Sequence, residues 1–267
     1  MVKEYNELTA IEVDANLHYD TLVQEEKIKR YIFAGIILLI FIFRGFITYW
    51  LKFGIAIPSE YTYDSIITTQ DPVQINYTEE EKISKTFTYH SLINKNTMEV
   101  IPQAHYVLSA MVVSTNHDFL FISKFFDSAA LYDLGATWGN LADKNTYKRY
   151  FKSYNTKIEL TGARKLYWSW RYDTPYDASY IQSHISHSHI IPANRNIMAA
   201  MLKLKQFQIV KIEGELVDMN YYDKSLQMPM RYYTSLSRTD VDENSRGSGA
   251  CETIYVTKIQ IGDKIYK

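Results

Sequence analysis

A single cysteine, Cys251, stands among 267 residues, so no intramolecular disulfide can form and a disulfide-stapled secreted scaffold is excluded. Glycine and proline are sparse, 10 and 6 residues against 23 tyrosines, and no repeat or low-complexity tract is visible. Neither sign of charge is in excess. The net charge is −1, and no run of Lys and Arg provides the concentrated basic face that displaces counterions from nucleic acid, so nucleic-acid partners are excluded. There is also no Walker motif, dinucleotide fingerprint, H-E-x-x-H or G-x-S-x-G. Gly247-Ser248-Gly249 precedes a strand pattern instead of opening a helix, so it reads as a loop between strands and not as a phosphate cradle.

What the chain does have is an ordinary globular balance, 46% hydrophobic and 22% charged, which argues against global disorder. Tyrosine, with an apolar body and a polar tip, suits half-buried strands and interfaces. One long apolar run stands out. Tyr31–Phe43 carries no charge, and after Arg44 the apolar character resumes as Gly45–Leu51, with Tyr49 and Trp50 where an interfacial belt would lie. Lys27, Lys29 and Arg30 precede the run and only Lys52 follows closely, which keeps the N-terminus in the cytoplasm by the positive-inside rule. A cleaved signal peptide is the rival, because Gly54 and Ala56 resemble the small residues of a cleavage site.

The expected organisation is a flexible acidic cytoplasmic tail over 1–19 and a helix over 20–53 that contains a transmembrane segment at about 31–51. A linker over 54–60 then leads to an extracytoplasmic domain over 61–267. Asp20 is the expected N-cap of the helix, and Arg44 is placed to snorkel to the far interface. The expected fold class is α+β, with the transmembrane helix followed by a strand-rich domain ending in a C-terminal antiparallel sheet or partial barrel. Strands are expected over His105–Val113, Lys165–Tyr172, Gln208–Met219, Met230–Ser237 and Cys251–Ile261, the last ending at a Gly262-Asp263 turn. Val210, Ile212, Gly214 and Leu216 share one face by their period of two. Helices are expected over Phe119–Tyr132 and from Pro192 to about Gln206.

Candidate chemistry concentrates in Ser183–His189. On an extended chain His187 and His189 point the same way, half of a zinc site, for which Asp218 or Asp240 would be the third ligand. The competing explanation is a Ser/His-rich loop that caps the next helix, with Asn194 as N-cap. Arg238 with Asp240 forms a candidate ion-pair or anion site, since Arg presents a bidentate fork. Cys251 reads as a small buried hydrophobe, and a nucleophilic role would require a histidine beside it.

Ser186–Asn194 (SHSHIIPAN), Val210–Val217 (VKIEGELV), Ser235–Asp240, Gly249–Val256 (GACETIYV) and Ala136–Gly139 together resemble a group of uncharacterised bacterial membrane-anchored proteins. The resemblance covers about half the chain and carries no catalytic residue. It implies a bacterial inner-membrane location, with the C-terminal domain periplasmic or extracellular. Two functions are weighed. One is a binding or assembly module of the cell envelope, partnered by the lipid bilayer and other envelope proteins. The other is a membrane-tethered, metal-dependent hydrolase using His187 and His189, with Asp240 or Glu252.

Overall fold

The structure is a computed structural model that describes residues 24, 26–40, 54–92, 97–117, 132–155, 166–223, 228–236 and 251–267. The chain divides into two compact units, Met1–Leu51 and Lys52–Lys267.

In the first unit, residues 26–40 form a helix, α1. The expected transmembrane helix is corrected here. Among the described residues no helix is long and apolar enough to cross a membrane. Of the described residues of α1, Glu26, Lys27, Lys29 and Arg30 are charged. The remainder of the apolar run, including Arg44, and the 1–19 tail with Asp20 lie outside the described residues.

The second unit begins with β1 (Glu60–Tyr61), β2 (Val73–Asn76), α2 (Glu79–Lys85), β3 (Phe87–His90) and β4 (Thr97–His117). There follow β5 (Tyr132–Thr137), a 3-10 turn (Gly139–Ala142), α3 (Lys144–Tyr150), β6 (Phe151–Asn155) and β7 (Leu166–Trp170). The chain finishes with α4 (Ala178–Ser183), β8 (Ile185–Pro192), α5 (Arg195–Met201), β9 (Ile209–Asp223), β10 (Met228–Tyr232), β11 (Thr253–Ile261) and β12 (Lys264–Tyr266). The helix considered over Phe119–Tyr132 lies outside the described residues up to Tyr132, which opens β5.

The expected C-terminal antiparallel sheet is also corrected. Among the described residues ten strands form one mixed sheet, and five of them close on themselves, in the cyclic order β4, β5, β8, β11, β9 and back to β4. Four of the pairings are antiparallel, while β8 and β11 run parallel. The barrel therefore draws its wall from 97 through 261 instead of from the C-terminus alone. The connectivity, with α5 between the third and fourth wall strands, is that of the five-stranded Greek-key barrel of OB type. Sequence alternation shows which residues face inward but not which strand lies beside which, so a partial barrel was expected at the C-terminus alone, and neither the parallel pairing nor the strands from 97 onward were included.

The inner face of the wall is apolar. Ala104, Tyr106, Leu108 and Ala110 on β4 face Val210, Ile212 and Leu216 on β9 and Ile254, Val256 and Ile259 on β11, each 1% exposed or less. Burying one such Leu or Ile contributes about 2 kcal/mol. Gly214 sits on this face at the β9–β11 crossing, where a Cβ would lie 2.1 Å from the Tyr255 carbonyl oxygen. Only glycine permits that approach, next to a bulge between Val256 and Lys258. One end of the barrel is plugged by α5, whose Met201 carbonyl accepts the Tyr132 hydroxyl at 3.0 Å. Asn194 caps this helix by accepting the Ile197 N–H at 3.0 Å.

The outer face carries two separate apolar clusters. One gathers Met111, Val113 and Ile185 under Leu141, Tyr147, Phe151 and Ile181. The other gathers Val100, Val217, Met219 and Ile191 under Tyr89 of β3. The strand expected over Lys165–Tyr172 is β7, which pairs only with β6 in a two-stranded sheet. Its Trp168 packs on the first cluster, while Trp170 is exposed.

Candidate metal centre

The strand β8 holds the site. Its outer face reads Ile185, His187, His189, Ile191, and the two isoleucines anchor it in the two outer clusters. The histidines between them lie on one face, as the period of two requires, with ring centroids 4.9 Å apart in an edge-to-face arrangement. The Ser/His stretch is thus a strand and not a helix-capping loop, although Asn194 does cap α5.

Each neighbour of β8 contributes one group. Antiparallel pairing sets Asp133 of β5 opposite His189, and the Asp133 Oδ1 lies 2.8 Å from His189 Nδ1. Asp133 is 2% exposed and His187 is 8% exposed. Opposite His187 stands Gly135, which puts no side chain against the ring. On the other side, the parallel partner β11 sets Thr253 opposite His189, and Cys251 precedes it by two residues on the same face. The Cys251 carbonyl accepts the Ser235 N–H at 3.2 Å, and the Thr253 N–H donates to Thr234 Oγ1 at 2.9 Å. These bonds fix the approach to β11, so that Cys251 Sγ lies 3.7 Å from His187 Nδ1.

One ligand atom from each of His187, His189 and Cys251 lies within 4.8 Å of the others, forming a possible metal-binding site. Tetrahedral zinc with ordinary Zn–S and Zn–N bonds separates a sulfur from a nitrogen by about 3.6 Å. The 3.7 Å between Cys251 Sγ and His187 Nδ1 fits that edge. Asp133 lies where a carboxylate would support a metal-bound histidine: placed on Nδ1, it orients the ring and would leave Nε2 free to ligate. Tyr232 stands edge-on to His189 at 5.7 Å.

Of the residues expected to complete the site, His187 and His189 are brought together and Asp218 and Glu252 are not. Asp218 accepts the Thr234 N–H at 3.0 Å and lies 3.8 Å from Arg231 Nη2. Burial pushes its carboxyl above the usual carboxylate range. Glu252 turns to the inner face, where its Oε2 accepts the Ser188 hydroxyl at 3.3 Å. Arg238 and Asp240 lie outside the described residues.

Two members of the site were not anticipated. Cys251, read as a buried hydrophobe, is only half-buried and has His187 beside it across 64 positions of sequence. Asp133 carries no local signal, because it becomes relevant only through the β5–β8 register.

A cysteine–histidine nucleophile is the other chemistry these atoms allow. It needs the histidine facing the thiol to be oriented by an acid. Here the acid is on His189 and the thiol is on His187, so the relay is split between two rings and the geometry suits a shared metal better.

In chain order β5 and β8 are the second and third wall strands. No family model matches the chain, and no curated protein or solved structure matches it either.

Proposed function

We propose that the Lys52–Lys267 unit is a zinc-binding module centred on His187, His189 and Cys251. The observation that carries this is the convergence of three ligand atoms within 4.8 Å on one face of the barrel wall. Two imidazoles and one thiolate are borderline-soft donors that suit zinc, and the Asp133 contact supplies the orienting carboxylate that metal-bound histidines ordinarily have. The test is to purify the full chain without a histidine tag, measure bound metal, and load the metal-free protein with cobalt(II). Stoichiometric zinc and a thiolate-to-cobalt charge-transfer band that disappears in Cys251→Ser are expected. Metal content that stays the same in a folded His187→Ala/His189→Ala double variant would overturn the assignment.

The ligand count favours one further activity. The three protein ligands among the described residues would leave one tetrahedral position for water, the pattern of hydrolytic zinc centres, in which the metal lowers the pKa of the bound water. A metal-dependent hydrolase is therefore the alternative to a binding or assembly module in which the metal only ties β8 to β11. Turnover of an activated ester that depends on zinc and vanishes in His189→Ala would select the hydrolase. Zinc-dependent stability without turnover would select the module.

A further inference from the structure

Residues 62–71 form a strap on the barrel, tied at both ends. At one end the Thr62 N–H donates to the Asp263 carbonyl at 2.9 Å, and the Gln260 side-chain amide donates to the Asp64 carbonyl at 2.9 Å. At the other end the Gly139 N–H donates to the Thr68 carbonyl at 2.7 Å, and the Trp138 indole N–H donates to Asp71 Oδ1 at 3.2 Å. Between the ties, strap residues from Thr62 to Gln70 and wall residues of β4, β9, β11 and β12 line a cavity of about 240 Å³. The second tie has a titratable neighbour. His184 Nε2 lies 3.7 Å from the same Asp71 oxygen that accepts the indole.

The surroundings of His184 fix which ring nitrogen keeps its hydrogen. The Ser183 hydroxyl donates to the Tyr180 carbonyl at 3.1 Å, so towards the ring it can only accept. His184 Nδ1 lies 3.0 Å from that hydroxyl and 2.8 Å from the same carbonyl. Facing two acceptors, Nδ1 carries the proton of the neutral ring. Nε2 then turns a bare lone pair towards the Asp71 carboxylate, which is repulsive. A second proton changes the sign of the contact, because both nitrogens become donors and the ring becomes a cation.

The ring has no room to turn away. Tyr180 stacks on its face with centroids 3.8 Å apart, and Tyr176 stacks behind Tyr180. Gly139 abuts the ring so closely that a Cβ there would lie 2.5 Å from His184 Cδ2. The Tyr180 hydroxyl accepts the Asn140 N–H at 2.9 Å, and Asp177 accepts the Tyr180 N–H at 2.7 Å. Trp138 and Gly139 bring no charge. Among the described residues Asp71 is the one charged group within ion-pair distance of the ring.

We propose that Asp71 and His184 form a proton-operated latch on the strap. In mildly acid solution the imidazolium holds the carboxylate, and the strap stays shut over the cavity. Once the ring loses its second proton, this end is held by the Trp138 and Thr68 bonds alone, and the strap opens more often. Histidine is the side chain whose charge ordinarily changes between about pH 5 and 8, so closure weakens as pH rises through that range. Asp71 is 62% exposed, which limits the latch to the strength of a surface ion pair and keeps it reversible. The latch shares no residue with the metal centre.

The test uses the full chain and amide hydrogen exchange read by NMR at about pH 5.5 and about pH 7.5, corrected for intrinsic exchange. The reporter is the Gly139 N–H, which is bonded to the strap. The control is the Val112 N–H, which is bonded to the Gln208 carbonyl. Protection of Gly139 should be about threefold greater at the lower pH, while Val112 changes little. Asp71→Asn keeps an acceptor for the Trp138 indole without the charge, and should abolish the difference. His184→Gln should do the same. Equal protection of Gly139 at the two pH values, a matching change at Val112, or a difference that survives in folded Asp71→Asn would each overturn the proposal.

Discussion

β9 and β8 are walls of the same barrel, yet they bury their residues differently. From Val210 to Leu216, β9 alternates between a buried inner face and a half-buried outer one. In β8 seven of eight positions are buried, so four polar side chains from Ser186 to His189 sit in a strand covered on both faces. Burying polar groups is costly unless they are partnered. The inner two, Ser186 and Ser188, are connected to each other and to Glu252. The outer two converge with Cys251, and His189 leans on Asp133. The difference teaches that a polar stretch in a doubly buried strand marks a site where its groups have been given partners, whereas an alternating strand marks the scaffold.

That contrast can be broken first at the scaffold. Gly214→Ala should cost at least about 4 kcal/mol or prevent folding, measured by denaturant unfolding, since the added methyl meets backbone and not a movable side chain. At the site, the large effect should come from the ligand and not from the strand. Chelation of the metal should destabilise the wild-type chain by about 3 kcal/mol at free metal a hundredfold above Kd, with no shift in folded His187→Ala/His189→Ala.

A subtler change sharpens the division of labour within the site. Asp133→Asn should weaken metal affinity by roughly 10–100-fold in a competition titration, while binding stoichiometry is retained. The smallest effect is expected at Asp218, which was weighed as a ligand and is not one. Burial raises its folded carboxyl pKa, so its protonated form stabilises the native state at acid pH, and that contribution is lost as pH rises through the raised value. Asp218→Asn, which still accepts the Thr234 N–H, should therefore gain a little stability at neutral pH and none in acid, measured by denaturant unfolding at both.

The parts of this architecture legible in sequence are those set by local period. The inner face of β9, the capped start of α5 and the common face of His187 and His189 each follow from spacing over a few residues. Barrel closure, the strap and two of the site's members depend on which strands meet. Nothing near Cys251 distinguishes it from a buried small residue, because its significance comes from the parallel pairing of Thr253 with His189. Asp133 is equally silent until β5 is laid against β8.

The parallel pairing of β8 with β11 has a consequence for the order of events in biosynthesis. The wall cannot close, nor the third ligand reach the histidines, until the strand beginning at Thr253 has been made, so the two-histidine half waits for a partner more than sixty residues downstream. Long-range pairing of this kind is slow to form. Under the zinc reading, capture of the ion would wait for that strand: a product that stops before Cys251 would hold two donors and no cage, and only a closed barrel would compete for the ion.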